Sequence, residues 1–167
     1  MIALVVGILA TVLFVILRFV VAIDDHKPLG IDVWWNELMV SIETPAGLIL
    51  AWIPAIVGGT IGMFAIALLT VIVLYWRKRR WDSLNMAIAI ALVVAIGAPM
   101  AAIIARARPG DSLAESVATS FPSGHTAVAT TFVVTLALLF RRWWIWTIGA
   151  VWVVWMMWGR TYLHAHW

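Results

Sequence analysis

Long apolar runs separated by short polar clusters set the pattern of the chain. The first covers residues 2–23, and a longer stretch extends from Pro45 to Trp76. A third follows to about Ala105, a fourth ends at Phe140, and a Trp-rich fifth begins at Trp143 and continues past Trp158. A helix that crosses the hydrocarbon core needs about 20 mostly apolar residues. The pattern therefore predicts an all-α polytopic transmembrane bundle in a single domain, 1–167, with five spans at about residues 2–23, 51–76, 83–105, 123–140 and 143–160. The Pro45–Trp76 stretch is too long for one straight span at 1.5 Å per residue, and Pro54, Gly58 and Gly59 mark where it kinks or breaks. Thr44-Pro45 reads as a helix start, with Thr as cap and Pro in the first turn. Asp82 or Ser83 is expected to cap the third span, and Gly97 and Pro99 to bend its far end.

The first run is read as a retained span. A cleaved signal peptide is the rival, but this run exceeds the usual apolar region of about 7–15 residues, lacks a basic start and ends in Asp24-Asp25. Arg18, inside its outer part, pairs with Asp24 or Asp25 or reaches the interface; a role near the functional site is the alternative. In the loop of residues 24–44, Asp24, Asp25, Asp32, Glu37 and Glu43 outnumber Lys27. Trp34, Trp35, Leu38, Met39 and Ile42 share helical spacing there and suit anchoring at a membrane interface.

Composition fits this picture. The 167 residues are 65% hydrophobic and 11% charged, whereas soluble domains carry about 25% charged residues. The net charge of +3 sits in short clusters between apolar runs, which speaks for membrane topology rather than nucleic acid binding. Arg77-Lys78-Arg79-Arg80 and Arg141-Arg142 are expected on the cytoplasmic side. Counting spans then puts the first loop, the 106–122 loop and the C-terminus at the opposite, non-cytoplasmic face. There is no cysteine, so disulfides and thiolate metal sites are absent.

Three polar segments are thereby brought to one face: Arg106-Ala107-Arg108-Pro109, Pro122-Ser123-Gly124-His125, and Gly159-Arg160 through His166. Their three arginines, with His125 and His166, suit a dianion, because the guanidinium fork matches phosphate oxygens and stays charged. Pro122, Ser123 and Gly124 are placed at the first turn of the fourth span, where unbonded amides and the helix dipole favour phosphate. Gly124 lets the backbone approach a ligand. One histidine can attack phosphorus while the other protonates the leaving oxygen.

The same segments resemble the type 2 phosphatidic acid phosphatase (PAP2) superfamily, which includes vanadium haloperoxidases. Its pattern is Lys-x6-Arg-Pro, then Pro-Ser-Gly-His, then Ser-Arg-x5-His-x3-Asp. Arg108-Pro109, Pro122-Ser123-Gly124-His125, and Arg160 with His166 after five intervening residues match in order and spacing. The resemblance implies His166 as the nucleophile, His125 as the general acid, and Arg108, Arg160, Ser123 and the Gly124 amide as phosphate ligands, with no metal or organic cofactor. It implies a membrane phosphatase whose partner is a lipid phosphate: an isoprenoid (di)phosphate, phosphatidic acid or phosphatidylglycerol phosphate.

Three positions depart from the family pattern. Ala101 stands where the first motif has Lys, and Arg106 is the candidate replacement for it. Gly159 stands in place of Ser. The third-motif Asp, which holds the nucleophilic His in its useful tautomer, would fall three positions beyond Trp167, with the family's sixth span after it. The chain is therefore expected to be a truncated form, with His166 frayed and activity low or absent; extension through a sixth span is expected to raise activity. A lipid-phosphate binding or scaffold protein without catalysis is the alternative. A transporter is disfavoured, since no paired carboxylates or inverted repeat are seen within the spans.

Overall fold

The computed structural model describes residues 2–23, 25–114 and 119–167, with the side chains of residues 2–4, 6 and 60 outside the description. Seven helices are described: α1 (Ile2–Ala22), α2 (Gly30–Ser41), α3 (Pro45–Val57), α4 (Thr60–Trp76), α5 (Arg80–Ile104), α6 (Gly124–Phe140) and α7 (Trp143–Tyr162). The five segments read as spans are all helical, the second as the pair α3 and α4. Among the described residues, α5 alone is both long and apolar enough to cross a membrane. α3 and α4 together pass the same test as a pair bent by 47°.

The break between α3 and α4 falls where Pro54, Gly58 and Gly59 were expected to make it. Thr44 caps α3, its hydroxyl accepting from the Gly47 amide at 3.1 Å, with Pro45 in the first turn. The break is held open by packing: a Cβ on Gly58 would stand 1.8 Å from Met156 Cε of α7. The start of α5 differs from expectation. Arg79 is its N-cap, Asp82 instead forms an ion pair with Arg79, and Ser83 Oγ donates to the Val71 carbonyl of α4 at 2.8 Å.

α4, α5, α6, α7 and α3 pack in succession, and α2 lies against α7. Small residues make the crossings close. Ala129 and Ala137 of α6 are buried, and a Cβ on Gly149 of α7 would come within 2.0 Å of Val133. Association through small residues is typical of helices packed in lipid, where van der Waals contact replaces the hydrophobic effect. Large apolar side chains such as Leu9, Ile61, Leu92 and Val151 point outward. An outer surface that is apolar in this way is what a soluble monomer avoids.

At one end of the bundle a compact core joins α2, α3 and α7 through Met39, Ala51, Ala55, Tyr162 and Leu163. Truncating the fully buried Leu163 to Ala would cost about 2–5 kcal/mol. Of the apolar face expected in the first loop, Trp35, Leu38 and Met39 join this core, while Trp34 and Ile42 remain exposed. Arg18 lies with its guanidinium 5.6 Å from the Phe19 ring; its expected pairing with Asp24 falls outside the described residues.

Candidate active site

The site sits above this core, where the loop after α5, the start of α6 and the end of α7 meet. α5 stops at Ala105, which adopts left-handed backbone (φ 50°) and turns the chain into the Arg106–Pro109 strip. Ala107 bridges Thr119 in antiparallel fashion. Ser120 locks the strip by donating from its amide to the Arg106 carbonyl (2.7 Å) and from its hydroxyl to the Ala107 carbonyl (2.8 Å). This places the Ser120 carbonyl in the middle of the site.

After α7 the chain turns back. Leu163 and Ala165 are fully buried and His166 is 8% exposed. Trp167 Nε1 donates to the Ala107 carbonyl at 2.8 Å, and the Leu113 amide donates to the Leu163 carbonyl at 3.0 Å. His166 is therefore anchored, contrary to the expectation that it is frayed: apolar burial and main-chain bonds on both sides hold the final turn.

His166 Nδ1 lies 2.5 Å from the Ser120 carbonyl oxygen. A carbonyl only accepts, so Nδ1 carries the proton. Nε2 faces Arg108 Nη1 at 3.4 Å; a guanidinium only donates, so Nε2 presents its lone pair. Burial lowers the His166 pKa from 6.5 to about 3. The bond to Ser120 opposes that shift, and the neighbouring Arg160, Arg108 and His125 reinforce it. The ring is thus neutral at physiological pH, in one defined tautomer. The Ser120 carbonyl thereby fixes the orientation of the ring.

Of the remaining candidates, Arg108, Arg160 and His125 lie close enough to act on the charge of this ring. Arg108 also donates from Nη1 to the Ala165 carbonyl, which fixes its fork beside His166. Arg160, in the last turn of α7, is buried. Ser123 is the N-cap of α6 and accepts from the Thr126 amide at 3.4 Å, so its own proton remains to donate. Pro122 precedes the cap rather than occupying the first turn, because the helix begins at Gly124. Gly124 is exposed, and a Cβ there would meet no atom of the chain, so the space before the α6 N-terminus is open. His125, half-buried, presents Nε2 to the α3–α4 break, 3.7 Å from where a Cβ of Gly59 would sit.

Arg106 is placed elsewhere. Its guanidinium forms a buried ion pair with Asp32 of α2 and reaches the Lys27 carbonyl at 3.5 Å. The acidic partner outcompetes a place at the pocket, so Arg106 does not replace the lysine absent at Ala101, which lies in the last turn of α5. Among the described residues, no group of three or more metal-ligating side chains is present.

The sequence reading missed two participants. Ser120 acts through its carbonyl, which every residue has, so no side-chain signal could reveal it. His164 did carry a signal: a second histidine two positions before His166, in a chain whose first loop is rich in carboxylates. Its ring lies on the far side of the same turn.

Residues 102–167 match the profile of the PAP2 superfamily. A search of curated protein sequences finds no match. Among solved structures, a transmembrane PAP2-type phosphatidylglycerolphosphate phosphatase from Bacillus subtilis superposes with a TM-score of 0.82 at 20% sequence identity, over 93% of this chain and 82% of that one. The likeness is one of fold. Residues 102–167 are thus similar to the PAP2 superfamily, the helical bundle has the fold of a transmembrane PAP2-type phosphatase, and the resemblance read from the three motifs is borne out.

Proposed function

We propose that this protein is a multi-pass membrane lipid phosphatase that works through a phosphohistidine on His166, with its site at the non-cytoplasmic face. One observation carries the reading. A buried, neutral histidine has Nδ1–H bound to a carbonyl and its Nε2 lone pair turned toward Arg108, with Arg160 and His125 close by. A nucleophile needs its electron pair available, and a dianion needs fixed positive charge in a site with little water.

In the proposed sequence, the phosphate of a phosphomonoester or diphosphate lipid settles against Arg108 and Arg160, the Ser123 hydroxyl and the Gly124 amide. His166 Nε2 attacks phosphorus as the bond to the leaving oxygen breaks. Protonated His125 gives its proton to that oxygen. The Ser120 carbonyl holds the Nδ1 proton of the phosphorylated ring, which is now cationic. Water then attacks phosphorus, His125 takes a proton from it, and the P–N bond breaks to release inorganic phosphate and restore both rings. None of these steps calls on a metal.

Isoprenoid diphosphate, phosphatidic acid and phosphatidylglycerol phosphate are the candidate substrates. The test is release of inorganic phosphate from each by the purified chain in detergent micelles, with and without vanadate. Release from at least one, blocked by vanadate, is expected; none from any overturns the reading. A binding protein without catalysis is the second reading. It is favoured by one feature: Ala101 leaves a phosphate contact unfilled and Arg106 is committed to Asp32. Tight lipid-phosphate binding with no turnover would select it.

A further inference from the structure

His164 is 2% exposed and has left-handed backbone, φ 52°. That conformation is uncommon for residues other than glycine. Three other segments meet the ring. Nδ1 lies 3.1 Å from Asn36 Oδ1 of α2 and 3.3 Å from Asp111 Oδ2 in the loop after α5. Nε2 lies 3.1 Å from Glu43 Oε2 in the turn between α2 and α3. A carboxylate therefore faces each ring nitrogen. Carbonyl and carboxylate oxygens only accept, so the bonds to Asn36 Oδ1 and Glu43 Oε2 both form when both nitrogens carry protons, and the Asp111 carboxylate 3.3 Å from Nδ1 favours that charge.

Tyr162 grips the same turn two residues earlier. Its hydroxyl accepts from the Thr44 amide and donates to the Ile42 carbonyl, each at 2.9 Å. Glu43 is thus held between two bonds from one side chain while its carboxylate reaches His164. On the opposite side of the turn, Ala165 gives its carbonyl to Arg108 and His166 enters the site.

We propose that His164 is a positioning residue: its doubly protonated ring ties Asn36, Glu43 and Asp111 around the final turn, and so fixes Arg108 and the His166 ring for attack on phosphorus. This rests on the phosphatase reading for its consequence in catalysis, but not for the bonds themselves. The clamp acts on the orientation of His166, so its loss lowers kcat more than it raises KM.

Two measurements on the full chain in detergent micelles test this. Ring-nitrogen NMR of 15N-histidine-labelled protein, with signals assigned by His164→Gly, is expected to show two protonated nitrogens in His164 and one in His166. His164→Gly keeps the backbone turn and removes the ring; with dioctanoyl phosphatidic acid it is expected to lower kcat at least tenfold and change KM less than threefold. Adding Glu43→Gln to His164→Gly is expected to cost nothing further, whereas Glu43→Gln alone lowers kcat. A single protonated nitrogen in His164 overturns the clamp, as does wild-type kcat in His164→Gly. Absence of turnover in the wild type overturns the phosphatase reading instead, and the ring spectrum then still decides whether the clamp exists.

Discussion

Two histidines with one residue between them sit in opposite surroundings. His166 is ringed by Arg108, Arg160 and His125 and bonds through one proton to the Ser120 carbonyl, which suits a neutral ring with an open electron pair. His164 faces Glu43 and Asp111 and has an acceptor at each nitrogen. The two rings meet different segments: His164 faces Asn36, Glu43 and Asp111, and His166 faces Ser120 and Arg108. In the proposed mechanism the same residue type serves as nucleophile on one side and as cross-link on the other, and the charges of the neighbouring segments decide which.

Removing the ring on the cationic side should have the largest effect. His166→Ala is expected to reduce turnover by about a thousandfold or more, since loss of a nucleophile removes the chemical step; residual activity above one-tenth would move the chemistry elsewhere. Next comes Arg108→Lys, which keeps the charge but loses the fork that reaches both the pocket and the Ala165 carbonyl. A drop of about 100-fold in kcat/KM is expected, the scale of one lost transition-state donor. A change under threefold would show that charge alone suffices there.

Arg106 sharpens the contrast from outside the pocket. Arg106→Ala leaves Asp32 buried without its cation, and a loss of about 3 kcal/mol in stability is expected, read from unfolding in detergent with KM unchanged. A raised KM at unchanged stability would restore Arg106 to the phosphate site. The smallest effect expected is one of pH. Between pH 6.5 and about 3 the unfolded chain binds a proton at His166 that the folded chain excludes, so stability falls as pH falls through that window. The thermal midpoint of His166→Gln should fall less over the same range; parallel curves would mean that His166 is not held neutral.

Much of the architecture was legible in the sequence because hydrophobic run length, Pro, Gly and basic clusters act locally. The helix limits near Phe140 and Trp143 and the break at Gly58-Gly59 follow from such signals. That Arg108, His125 and Arg160 lie near His166 could be expected from the sequence, because binding a dianion demands particular side chains. What was not legible depends on pairing across long separations. Arg106 meets Asp32, 74 residues away, and His164 meets Glu43, 121 residues away; nothing in the spacing chooses these partners over others. The hold on His166 by Ser120 was invisible because a carbonyl leaves no mark in a sequence.

In the proposed mechanism His166 Nε2 is the atom that accepts the phosphoryl group. Rapid quenching of the enzyme with a lipid phosphate labelled in its phosphate, followed by mapping of the acid-labile label, tests it directly. The account predicts one labelled site, His166, phosphorylated at Nε2, and no label in His166→Ala. Label on His125, on a serine or at Nδ1 of His166 would contradict it.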